Sequence, residues 1–200
     1  GLSKITEVGD RCVLGAAVTL ESMLKYFSHS TSMEYAIKIE ASRNQREQAT
    51  IAGLVCSSDG RSPLLSLLLA LDISIKWQPD DIEMSLGNFL AQRNRWQKGG
   101  LITEFSFAKD IKYGFESVGR SPFDLPIICI AAARWPSNRL RIVAGGLGSL
   151  PILVSDGNTS DNEELAVENA LLDASDEWAS AEYRIAVGRK IAARIKKALE

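Results

Sequence analysis

Hydrophobic positions along the chain switch between a period of two and a period of three to four, often within ten residues. Cys12–Ala17 is apolar and follows the turn pair Gly9-Asp10, which predicts a strand. Thr19 then stands where an N-cap belongs, with Leu20, Met23, Leu24 and Phe27 at helical spacing behind it. A second helix is predicted over Met33–Ser42, with Ile37 inward. Residues 50–56 read as strand or loop. Leu64–Leu71 is apolar on every side and follows Ser62 and Pro63, which predicts a helix with a serine cap and proline in its first turn. Asp72–Trp77 sets Ile73, Ile75 and Trp77 against Ser74 and Lys76, the alternation of a half-buried strand; Met84–Leu90 is a short helix.

After Lys98-Gly99-Gly100 the texture changes. LITEFSFA alternates, with Ile102, Glu104 and Ser106 on one side and Leu101, Thr103, Phe105 and Phe107 on the other. Strands are predicted at Ile127–Ala133 and Leu140–Gly145, and Trp135-Pro136-Ser137-Asn138 joins them as a hairpin. Helices follow over Asn162–Leu172, briefly from Ser175, and over Ala181–Leu199. The last carries Tyr183, Val187, Ile191, Ile195 and Leu199 on one stripe, and its final turns hold basic residues that suit the helix dipole. The fold class is α+β, with a boundary near Lys98–Gly100.

Composition narrows the function. Of the 200 residues 46% are hydrophobic and 24% charged, a globular balance. The net charge of −2 argues against a general binder of nucleic acid or membrane surfaces. No apolar run approaches the roughly 18 residues of a membrane span. The opening residues, GLSKITEVGD, read as the interior of a domain, so an incomplete chain is expected. Three cysteines, Cys12, Cys56 and Cys129, are widely spaced and form no CxxC pair. They read as small buried hydrophobes in a reducing, cytoplasmic setting, with no metal site. His29 is the only histidine and lies in a loop. No pair of carboxylates has a spacing that demands acid–base work, so no catalytic residue is expected.

Three stretches, in order, carry a family likeness. SRNQREQATIAGL followed by SPLLSLLLALDISI resembles the second lobe of the FAD-binding domain in molybdenum hydroxylases, the flavoprotein (medium) subunit of the carbon monoxide dehydrogenase and xanthine dehydrogenase type. VGRSPFDLPIICIAAA is similar to that family's Gly-Arg-Arg segment. RIVAGGLGSLPILV and SAEYRIAVGRKIAARIKKAL look like its Arg-Ile-x-x-Gly-Gly-Val-Ala-Pro-x-Pro segment and its closing Ser-Ala-Glu-Tyr-Arg helix. The resemblance implies residues 1–98 as the second FAD lobe, an antiparallel sheet with helices, and residues 99–200 as a C-terminal domain with a three-stranded antiparallel sheet and a helical bundle. It implies FAD as cofactor, with the family's first lobe absent from this chain. It also implies a 2Fe–2S iron–sulfur subunit and a molybdopterin subunit as partners.

In that family a Thr-Ile-Gly-Gly-Asn turn brings backbone amides to the FAD pyrophosphate, where a Cβ would block close approach. The matching cofactor-binding residues here are Thr50, Ile51, Ala52 and Gly53, with Arg46 just before them. Ala52 replaces a glycine and Leu54 a polar residue; Pro63 falls where an acidic residue is usual, Asp59 comes several residues early, and Glu116 takes a basic position. Arg46 could help fix the cofactor loop or pair with Glu40 or Glu47. Asp124 reads as a local cap or a partner of Arg120, Gly145-Gly146 as an architectural turn, Trp77 and Trp96 as core or rim, and Tyr183 as a helix-packing residue. Two functions stay open: a flavoprotein subunit relaying electrons from iron–sulfur clusters through FAD to an acceptor, and a cofactor-free scaffold or assembly subunit.

Overall fold

The structure is a computed structural model and describes residues 1–96, 99–121, 124–158 and 163–200. It is α+β, built on two antiparallel sheets. The first has the order β1-β2-β5-β3-β4, from Ile5–Val8, Arg11–Gly15, Leu101–Ala108, Ser74–Gln78 and Ile82–Ser85. The second runs β6-β7-β8-β9, from Lys112–Val118, Ile128–Arg134, Arg139–Gly145 and Ile152–Asn158. It therefore has four strands where the resemblance implies three. The helices are α1 (Leu20–Tyr26), α2 (Thr31–Glu40), α3 (Arg43–Gln48), α4 (Ile51–Ser57), α5 (Pro63–Ala70), α6 (Leu86–Ala91), α7 (Arg93–Trp96), α8 (Glu163–Ala170) and α9 (Ala181–Leu199).

Helix α5 lies against the second sheet and fills the first core. Ser62 caps it through the Leu65 amide, Pro63 opens it, and every residue from Pro63 to Ala70 is buried. It packs against α2 on one side and against β7 and β8 on the other, which explains a helix with no polar face. Cys129, Ala131, Ala133 and Val143 turn toward this core. Their alternates Ile128, Ile130, Ala132, Ile142 and Ala144 turn toward a second core under Val167, Leu171, Ile191, Ile195 and Leu199 of the α8–α9 layer. A strand covered on both faces reads as a continuous apolar run, as β7 does. Each fully buried leucine of α5 contributes on the order of 1.5–3 kcal/mol relative to exposure.

Several expectations change. Residues 51–57 are helix, not strand or loop: Ile51, Leu54 and Val55 bury one face and the Thr50 hydroxyl accepts from the Gly53 amide. Helix α3 has no buried residue and hence no hydrophobic stripe to betray it. Strands β1, β6 and β9 are additional to the expected ones, and Ile82–Ser85, partly within the expected Met84–Leu90 helix, is strand β4. Ile102 lies buried with Phe105 and Phe107, not opposite them, because a bulge between Lys76 and Trp77 in the pairing shifts the register there. Strand β5 pairs with β2 and β3, so the first sheet extends past residue 98, and the chain crosses to the second sheet between Ala108 and Lys112. Lys98, Pro122 and Asn162, which figured in the expected boundary, strand start and helix start, lie outside the described residues. No helix begins at Ser175, whose hydroxyl instead accepts from the Ala181 amide. On α9, Tyr183 is exposed, and the buried face carries Arg184 in its place.

Candidate functional site

The candidate loop is held from both ends. Thr19 and Thr50 form an antiparallel bridge, so the 16–19 connection between β2 and α1 runs beside the entry to α4. An α-helix leaves its first amides without intrahelical partners, and these are the groups that would meet a phosphate. Here each of the opening amides has a protein acceptor. Ile51 donates to the Val18 carbonyl at 3.0 Å, Ala52 to the Ala16 carbonyl at 3.2 Å, and Leu54 to the Thr50 carbonyl at 2.9 Å. Gly53 donates to the Thr50 hydroxyl at 3.1 Å. Gly53 has no left-handed backbone, and a Cβ there would meet only that hydroxyl, at 3.2 Å. The freedom of glycine is therefore unused at this position.

Arg46 ends on Glu21, at 3.0 Å, and on the Ala41 carbonyl, at 2.8 Å, with only about an eighth of its side chain exposed. The carboxylate is Glu21 of α1 rather than the expected Glu40 or Glu47. Glu40 instead accepts from the Ser62 hydroxyl and the Leu64 amide, tying α2 to the start of α5. Asp59 accepts from the Arg61 amide at 2.9 Å, and Pro63 opens α5. Glu116 is taken by Arg194 of α9 at 3.0 Å. Asp124 turns back on Ser121 through its amide, and Arg120 lies over the Trp178 ring instead of pairing with it.

Thr50, Ile51, Ala52 and Gly53 thus sit together at one helix start, while Arg46 is drawn away into its own ion pair. Beside that start lies a concavity of about 340 Å³, and around Ala52 and Gly53 its walls are Cys56, Trp77, Phe89, Trp96, Leu101 and Ile102. Trp77 is core and stacks edge-on against Trp96, as expected for core and rim. The Cys56 thiol is exposed, against the expectation of burial; Cys12 and Cys129 are buried as expected.

The family model for the FAD binding domain in molybdopterin dehydrogenase matches residues 1–107. The chain belongs to this family. The whole fold is shared with solved oxidoreductase structures. A chain of carbon monoxide dehydrogenase from Hydrogenophaga pseudoflava, in a form lacking the Mo-pyranopterin moiety of its cofactor, superposes with a TM-score of 0.79 at 16% identity. Reconstituted CO dehydrogenase from Oligotropha carboxidovorans gives 0.79 at 17%, and quinoline 2-oxidoreductase from Pseudomonas putida 86 gives 0.74 at 16%. Each match covers 99% of this chain and 78% of the other. At these identities the likeness speaks for the fold alone. No curated protein sequence matches the chain.

The residues present do not fit the pyrophosphate of the family's cofactor. An anionic group here needs donors, and the four amides are already engaged by carbonyls and a hydroxyl of the protein. The adjoining concavity is walled by aromatic and aliphatic side chains, and among the described residues no lysine or arginine lines it. Transferring a phosphate to such surroundings without new donors is unfavourable by several kcal/mol.

Proposed function

We propose that this chain works as a cofactor-free scaffold on the flavin side of a molybdenum-hydroxylase-type oxidoreductase. It would hold an iron–sulfur (2Fe–2S) subunit and a molybdopterin subunit in a common assembly, in the reducing cytoplasm that free cysteines suit. The observation that carries this is the closed entry to α4, where Ala16, Val18 and Thr50 supply the acceptors. Thr50, Ile51, Ala52, Gly53 and Arg46 then serve as joints between the β2–α1 connection and α3–α4. The family match and the shared fold support membership in such a complex. An electron-relay role rests on the same membership and has no donor set at this turn to support it.

The longest natural reading frame is expressed and its absorbance recorded over about 350–500 nm, before and after adding FAD. The scaffold reading expects no flavin bands and no uptake of added FAD. It also expects Ala52→Gly not to create uptake, since the amide of residue 52 remains bound to Ala16. Two flavin bands, with FAD released on denaturation, overturn it in favour of electron relay.

A further inference from the structure

The loop between α8 and α9 is fixed more firmly than its exposure suggests. Asp176 accepts from the Trp178 amide at 2.8 Å and the Ala179 amide at 3.1 Å, and both its oxygens accept from Arg184 at 2.8 Å. This holds Trp178 at the surface, 37% exposed. Two guanidinium groups lie against its ring, Arg61 at 4.3 Å and Arg120 at 5.0 Å from the centroid. They come from different parts of the chain. Arg61 belongs to the 58–62 loop, which Asp59 braces from within and the Gly60 backbone fastens to the turn after β8; Arg120 follows β6.

Neither guanidinium has a carboxylate within ion-pair distance among the described residues, and the buried Nε of Arg61 has no hydrogen-bond partner. Elsewhere Arg46, Arg139, Arg184, Arg189 and Arg194 each end on a carboxylate. Stacking on an indole satisfies the face of a guanidinium and leaves its in-plane N–H groups in need of acceptors. Two such cations on one ring repel each other until an anion joins them. Trp and Arg on rigid supports, apolar centre with charged edge, are the composition of an interaction hot spot. Leu125, 39% exposed, stands two residues before Ile127, whose carbonyl takes the same Arg184 that fixes the Trp178 loop.

We propose that Arg61, Trp178 and Arg120 form a docking site for an acidic segment of a partner protein, whose Asp or Glu carboxylates bridge the two guanidiniums while its chain packs on the indole. The net charge of the chain is −2, so the attraction is local and not a property of the whole surface. The site lies apart from the α4 turn, and its fate is independent of whether FAD binds there.

The test titrates the full chain into fluorescently labelled hexaglutamate and reads anisotropy at low and at physiological salt. Saturable binding that weakens with salt is expected. It should fall at least about tenfold in Arg61→Gln/Arg120→Gln and in Trp178→Ala, with circular dichroism unchanged. Arg120→Glu, a change at an exposed position, should abolish it. Absence of binding, or binding indifferent to Arg120→Glu, overturns the proposal. Inorganic phosphate that competes at the concentration of glutamate residues also overturns it, by showing an anion site with no preference for an acidic segment.

Discussion

Replacing Arg184 by methionine should cost this protein about 3–5 kcal/mol, the range for removing one partner of a buried ion pair. Arg184 has no exposed surface at all. Its guanidinium donates to the carbonyls of Ile127 (3.0 Å), Ala174 and Ala179 (3.3 Å) and, through one nitrogen, to both oxygens of Asp176. Methionine fills the aliphatic part of the site but leaves three carbonyls and a carboxylate to find other donors. Asp176 is about a third exposed and can recover some water, which keeps the loss inside this range rather than at the sum of five charged hydrogen bonds. For a chain of this length each kcal/mol moves Tm by roughly 2–4 °C, so a drop of about 6–20 °C is expected by calorimetry. Asp176→Asn keeps the acceptor oxygen and should lose less than half as much. Burial tends to raise the Asp176 pKa, but the Arg184 guanidinium and the Trp178 and Ala179 amides outweigh it and hold the carboxyl below the usual range. Its contribution is therefore present above the unfolded pKa and lost as pH falls through the folded one, so the gap between wild type and Asp176→Asn should close in acid. A loss below about 1 kcal/mol for Arg184→Met, or equal losses for the two variants, would refute this account.

Two further outcomes follow from buried groups. Burial raises the Glu40 pKa, against the Ser62 hydroxyl and Leu64 amide that favour its charge, so the folded state holds that proton more tightly than the unfolded chain does. Its stabilising contribution is full below the unfolded pKa and is lost as pH rises through the folded one; Tm of Glu40→Gln should gain on wild type as pH is raised from about 4 to 8, and a constant difference would show that Glu40 does not titrate in this way. Among the thiols, burial pushes Cys12 to about 11 and Cys129 to about 12, while Cys56 stands exposed with a smaller rise. A thiol reagent at pH 8 should label about one cysteine in the native protein and all three in denaturant, and rapid native labelling of Cys129 would contradict the packing between α5 and β7.

What could be read from the sequence divides along physical lines. Helices with an apolar face and a hydroxyl cap, α1, α5 and α9, stand where Thr19, Ser62 and the Ala181–Leu199 stripe place them. Helix α4 was hidden because Ile51, Val55 and Gly53 lower helix propensity, although Thr50 and the spacing of Ile51, Leu54 and Val55 carried the signal. Strand β1 buries almost nothing and β9 little, so neither alternates. Arg184 was invisible for a different reason: a long cation on an apolar stripe reads as solvated until its acceptors, distant in sequence, are known. The same holds for Trp178, whose two arginine neighbours come from residues 61 and 120.

The stretch 49–63 resembles a phosphate cradle in sequence and is tied along its length to the protein's own backbone. Its small residues invite a ligand in sequence, yet each is accounted for by the protein's own backbone. Ala52 lies in an ordinary helical turn against the Ala16 carbonyl. Gly60 is glycine because a Cβ there would collide with the Leu147 carbonyl oxygen. Its own amide donates to Gly148 and its carbonyl accepts from Gly146, so the 58–62 loop is stitched to the turn that follows β8. Ser62 then caps the fully buried α5, and Glu40 locks that cap to α2. The 58–62 loop is thus tied to the turn after β8 and, through Ser62, to the buried helix of the first core. This attachment is what lets Arg61, one residue beyond Gly60, stand in a fixed place against Trp178. The α4 entry is closed by a separate set of contacts, through Ala16, Val18 and Thr50, so the two features can be perturbed independently.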